Sequence, residues 1–102
     1  MDYEKRLKEV DSAILTATGD PNGEPPDVAS YLRILFGDKS LSDFLETATW
    51  NEISLAQYDI TMKTLDHTLC RDENEEGIRL INFCIYKLSA RLTELNKITK
   101  AA

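Results

Sequence analysis

The chain has 102 residues, of which 42% are hydrophobic and 29% charged, and a formal net charge of −6 at pH 7. That suffices for one domain around one core, and the balance excludes a disordered chain. The charge is uneven: residues 20–76 hold 13 acids against 4 bases, −9, whereas residues 77–102 hold 1 acid against 5 bases, +4.

Phosphate contacts need clustered Lys and Arg, so the acidic middle predicts no nucleic acid as partner. It reads first as solvated surface. The start, Met1-Asp2-Tyr3-Glu4-Lys5-Arg6, has no apolar core of a signal peptide, and the apolar runs are too short for a membrane span. The expectation is a cytoplasmic protein without a membrane partner.

The first helix is predicted from Asp2 to Thr18, with Asp2 as cap. Tyr3, Leu7, Val10, Ile14 and Ala17 recur at four-three-four-three spacing, an apolar seam. Gly19 to Pro26 then forbids continuation through Pro21, Pro25 and Pro26. Asp20-Pro21-Asn22-Gly23 has its Gly fourth and Tyr31 twelfth, not the Gly sixth and Glu twelfth of an EF-hand, so no calcium is expected there.

A second, short helix starts near Pro26 and ends at Gly37, with Val28, Tyr31, Leu32, Leu35 and Phe36 as its apolar face. A third, also short, follows the Ser40 cap and buries Leu41, Phe44, Leu45 and Ala48. The fourth is predicted to begin at Asn51 as N-cap, with Trp50 and Leu55 spaced as a hydrophobic staple. Its seam is read as Leu55, Tyr58, Met62, Leu65 and Leu69, widened by Ile53, Ala56 and Ile60; a strand over Ile53–Tyr58 is the alternative.

Residues 71–76 form the turn into the last helix, Asn74 to Thr99. Ile78, Ile81, Ile85, Leu88, Leu92 and Leu95 make its seam, and Leu80, Phe83, Cys84 and Tyr86 add apolar bulk to its first half. If helices four and five form a hairpin about residue 73, Cys70 lies opposite residue 77. Cys84 is then about 10 Å further along at 1.5 Å per residue. That separation suits neither a disulfide nor a metal shared with His67. His67 and Cys70 alone lack the other parts of a nucleophilic site. Tyr3, Tyr31, Tyr58, Tyr86 and Trp50 could anchor an interface, but their seam spacing assigns them to the core.

Asp43-Xaa-Xaa-Glu46 and Glu73-Xaa-Xaa-Glu76 each set two acids one helical turn apart. They resemble the paired acidic motifs of the all-alpha nucleotide pyrophosphatases, with Asp43 where that family has Glu and Glu76 where it has Asp. The resemblance implies a metal-dependent phosphohydrolase using Asp43, Glu46, Glu73 and Glu76. Trp50-Asn51-Glu52 lacks the Gly of the Trp-Xaa-Gly carried by small secreted helical hairpins, and no family is assigned.

The sequence thus predicts one all-α domain over residues 1–102. Its form is an irregular antiparallel helical bundle of about five helices, three long (one, four, five) and two short. Helix one is expected beside helices four and five. By elimination the expected function is a non-enzymatic protein-interaction or regulatory module: an adaptor, inhibitor, chaperone or immunity-type protein. No catalytic, cofactor or metal residue is assigned. The candidate partner-binding residues are the acids Asp72, Glu73, Glu75 and Glu76 and the late seam Leu88, Leu92, Leu95 and Ile98. An acidic surface favours a basic protein partner, and the late seam is also where a homodimer could form if helix one does not cover it. The phosphohydrolase is the alternative, and an acidic DNA-mimic inhibitor is the third reading.

Overall fold

Asp2 stands just outside the first helix and accepts hydrogen bonds at Oδ1 from the N–H groups of Glu4 and Lys5, two donors a helix start leaves unpaired. The computed structural model describes residues 2–17, 28–65 and 75–101. Among them are five α-helices and no strand: α1 Tyr3–Thr16, α2 Val28–Leu35, α3 Leu41–Thr47, α4 Trp50–Leu65 and α5 Glu75–Ala101. The fold is the expected irregular bundle, with α1, α4 and α5 long and α2 and α3 short. The Gly19–Pro26 break, most of the turn before α5, and with it His67 and Cys70, lie outside the described residues.

Ends of helices are set by local chemistry. Gly37 and Asp38 both take φ of +65°, which stops α2 and turns the chain toward α3. Ser40 caps α3 by accepting from the Asp43 N–H. The start of α4 differs from expectation. Thr49, not Asn51, is its cap: Thr49 Oγ1 accepts from the Glu52 N–H, and Glu52 Oε1 accepts from the Thr49 N–H. That reciprocal pair is a capping box, which outcompetes a single Asn cap by satisfying two donors. Ala48 and Ile53, not Trp50 and Leu55, then hold the staple positions; Ile53 belongs to the core cluster and Ala48 packs against it.

Two arginines close helix C-termini from neighbouring elements. Arg33 of α2 donates from Nη1 to the carbonyls of Leu15 and Ala17 at the end of α1. Arg91 of α5 donates from Nε to the Leu45 carbonyl of α3 at 3.1 Å. Each places a cation where the helix dipole is negative.

The largest helix pair is α4 against α5. Gln57 Nε2 donates to Ser89 Oγ, which puts residues equally far from 73 opposite one another, as the hairpin register requires. The next most extensive helix pairs are α2 and α3 on α5, and α1 on α2 and α3. Helix α1 is thus carried mainly by the two short helices, while side chains along it also reach α5 as expected, Arg6 pairing with Glu76 and Tyr3 stacking on Tyr86. Its Asp11 carboxylate accepts from the Ser42 backbone N–H and hydroxyl, fastening it to α3. One core joins Val10 and Ile14 of α1 to Leu32 and Phe36 beside α3's Leu41, and to Ile53, Ile60, Ile81, Cys84 and Leu88 of the hairpin.

Candidate interaction surface

Helix α4 has two apolar faces. Ile53, Ala56 and Ile60 are buried in the core. Leu55, Tyr58, Met62 and Leu65 are 69%, 65%, 38% and 67% exposed. At about 100° per residue the two sets occupy opposite sides of the helix. The expected seam is thus the outer face, and the residues read as widening it are the inner one. Both sets keep helical spacing, so periodicity could not choose between them. One signal could have: Asn51 continues the Leu55 stripe one turn upstream, and turning that stripe inward would bury an amide. An unpaired buried amide costs about 1–3 kcal/mol. The inner face ends instead on Gln57, whose amide finds Ser89.

A cleft of about 450 Å³ adjoins the outer stripe, where Leu35 of α2 and Phe44 of α3 meet Leu55, Ala56 and Tyr58. Glu52 and Asp59 also line it. Asp59 accepts from the buried Tyr31 hydroxyl and lies 3.4 Å from Lys63 Nζ. Lys63 Nζ in turn sits 5.5 Å from the Tyr31 ring centroid. Burial, then the Asp59 hydrogen bond and charge, hold the Tyr31 phenol well above its ordinary range. Glu52 is held below the usual carboxylate range, chiefly by the Thr49 N–H.

The residues expected to meet a partner fare differently. Asp72 and Glu73 lie outside the described residues. Glu75 and Glu76 are exposed at the start of α5, but Glu76 Oε1 is tied to Arg6 Nη1 at 2.9 Å. Leu88 has zero exposure, so no partner reaches it. Leu92 and Leu95 are half-buried against the core, because α3 and α4 lie on that part of α5. Only Ile98, 60% exposed, remains open.

Tyr31 is buried as the core reading expected, whereas Tyr3, Tyr58, Tyr86 and Trp50 are exposed. Tyr3 and Tyr86 stack on each other across α1 and α5, centroids 5.7 Å apart. They stand at a cleft of about 770 Å³ lined also by Arg6, whose Nη1 pairs with Glu76 and, at 3.6 Å, with Glu9, while its Nη2 is buried without a hydrogen-bond partner.

The paired acids do not assemble. Glu46 lines a cleft beside Lys87, Arg91 and Glu94, and Glu76 lies eleven residues before Lys87, about 16 Å along α5. Glu73 falls outside the described residues, and no group of three His, Cys, Asp or Glu near enough to hold a metal ion occurs among those described. Cys84 is buried in the core, and its thiol is pushed up to about 12 by desolvation, with Asp11 adding to the effect and Arg6 opposing it. A thiol so protonated and enclosed is a packing group, not a nucleophile.

Comparison with known proteins finds no matching family model, curated protein or solved structure. Among the described residues no helix is long and apolar enough to cross a membrane.

Proposed function

We propose that this protein is a non-enzymatic interaction or regulatory module of adaptor, inhibitor, chaperone or immunity type, working in the cytoplasm, and that it meets its protein partner with the outer face of α4. The single observation behind this is the exposed stripe Leu55, Tyr58, Met62 and Leu65. A monomer with a formed core gains nothing from a second apolar seam on the solvent side of the same helix. Apolar rows of this kind mark surfaces that another helix covers. The acidic middle of the chain favours a basic partner by speeding encounter and rejecting other acidic proteins. The contact is assigned to α4 instead of the late α5 seam, where Leu88 is sealed.

The test compares the wild-type chain with the double variant Leu55→Ser, Leu65→Ser as bait in extract of the native host. Circular dichroism establishes that both are equally helical. The wild type retains a protein that the variant loses. Recovery of the same proteins by both baits would remove α4's outer face as the functional surface.

A further inference from the structure

The cleft of about 770 Å³ lies between α1 and α5, and no residue of α4 lines it. The two helices run antiparallel there, since Tyr3 stacks on Tyr86 at one end and Arg6 pairs with Glu76 at the other. Both rings of the stack are half exposed, and Phe83 and Asn82 of α5 continue their wall. Arg79 stands one helical turn before Phe83 and two before Tyr86, about 6 and 10 Å along α5. Flat apolar surface and cation thus share one wall within the reach of one small molecule. The charge left open in the cleft is positive. Lys5, Arg6 and Arg79 line it together with Asp2 and Glu9. Asp2 already accepts from the N–H groups of Glu4 and Lys5, and Glu9 and Glu76 both face Arg6. The side chains of Lys5 and Arg79 have no ion pair or hydrogen bond among the described residues, although Glu75 stands one turn before Arg79. Arg6 adds a second demand: its Nη2 is buried, and among the described residues no acceptor reaches it.

We propose that the cleft between α1 and α5 binds a small aromatic anion, a flat ring carrying a carboxylate or phosphate, with the ring against Phe83 and Tyr86 and the charge on Arg79 and Lys5.

The cleft has the volume of a small-molecule site, commonly about 300–1,000 Å³, and the apolar wall with a few polar groups that such sites use. A bare inorganic anion would leave the Tyr3–Tyr86 wall unused. A neutral ring would leave Lys5 and Arg79 without counter-charge. A ring that carries an anion meets both. Its oxygens are also acceptors that can come in beside Arg6, where a buried donor is left unmet. Such a ligand touches both helices, so it ties α1 to α5 and stabilises the folded chain as it fills the cleft. The site shares no residue with α4's outer face, so each assignment stands or falls without the other.

The test titrates the isotope-labelled full chain with naphthyl phosphate, naphthoate, uncharged naphthamide and inorganic phosphate. One or both aryl anions give saturable amide shifts centred on Lys5, Arg79, Asn82, Phe83 and Tyr86, with a Kd of about 1 mM or tighter. The tighter of the two identifies the charged group. Naphthamide and inorganic phosphate each bind at least about tenfold more weakly, and the aryl anions weaken as salt rises. Arg79→Gln, at an exposed position, weakens the aryl anions by about threefold, the scale of one exposed ion pair. It leaves naphthamide binding and the circular dichroism spectrum unchanged. Equal affinity for naphthamide or for inorganic phosphate, shifts centred on the Leu55–Leu65 stripe of α4, or no saturation by about 10 mM aryl anion would each overturn the proposal. So would tighter binding of a Glu-rich peptide at the same residues, which would give the cleft to an acidic segment of a protein.

Discussion

Gln57 of α4 donates its side-chain amide to the Ser89 hydroxyl of α5, and the two residues are equidistant from position 73. This partly buried contact sets the register of the largest helix pair, and either partner alone would leave a polar group enclosed. Gln57→Ala and Ser89→Ala should each cost about 1 kcal/mol, with the double variant costing less than their sum, because a shared hydrogen bond is removed only once. Urea denaturation of all four proteins measures the coupling. Strict additivity would mean that the contact does not hold the register.

The two faces of α4 should respond oppositely to truncation. Ile53→Ala or Ile60→Ala empties a fully buried site and should cost about 2–5 kcal/mol. Leu55→Ala and Leu65→Ala, on the exposed side, should stay within about 0.5 kcal/mol. Denaturation midpoints separate the two groups. Comparable losses on both faces would mean that the helix is rotated from this orientation.

Cap assignment is checked at two neighbouring positions. Thr49→Ala removes one half of the capping box and should destabilise by about 1 kcal/mol. Asn51→Ala, inside the helix and exposed, should be neutral or slightly stabilising, since Ala is the better helix former. Thermal melts of the pair decide which residue starts α4.

Alkali should weaken the fold before it reaches ordinary extremes. Unfolded, the Cys84 thiol ionises near its ordinary value of 9.0; folded, it holds its proton to about 12. Between those values the unfolded state binds fewer protons, so stability falls as pH rises, by at most about 1.4 kcal/mol per pH unit for this group. The raised Tyr31 phenol adds to the same slope above its ordinary value of 10.0. Stability should therefore be insensitive to these two groups below pH 9 and decline above it. Cys84→Ala should have a shallower alkaline slope, whatever its loss at pH 7. Denaturant titrations from pH 7 to 11 measure both slopes, and parallel slopes would show that Cys84 does not couple to folding.

Removing Arg33 should release the end of α1. Arg33→Ala loses its bonds to the Leu15 and Ala17 carbonyls and its 3.2 Å contact with Asp38. A cost of about 1–2 kcal/mol is expected, most of it from the carbonyls, because the Asp38 pair is exposed. Hydrogen exchange should quicken in the last turn of α1 before it does in α4. Uniform quickening across the chain would assign Arg33 a global role.

Sequence alone determined the helices, their approximate ends and the antiparallel register of α4 and α5. Those follow from contacts within a few residues: Asp2 and Ser40 supply acceptors to nearby N–H groups, Gly37 adopts a positive φ, and a short connection forces neighbours to run antiparallel. The charge pattern behind the proposed partner was legible for the same reason. Tertiary structure decided what local rules leave equal. Ile53-Ala56-Ile60 and Leu55-Tyr58-Met62-Leu65 satisfy the same periodicity, and only the fit against α5, with an amide finding a hydroxyl at Gln57 and Ser89, selected the inner one. The same holds for α1, which rests mainly on α2 and α3 because Asp11 accepts from Ser42 and the carbonyls at its end accept from Arg33. Such pairings join residues far apart in the chain, and spacing carries no record of them.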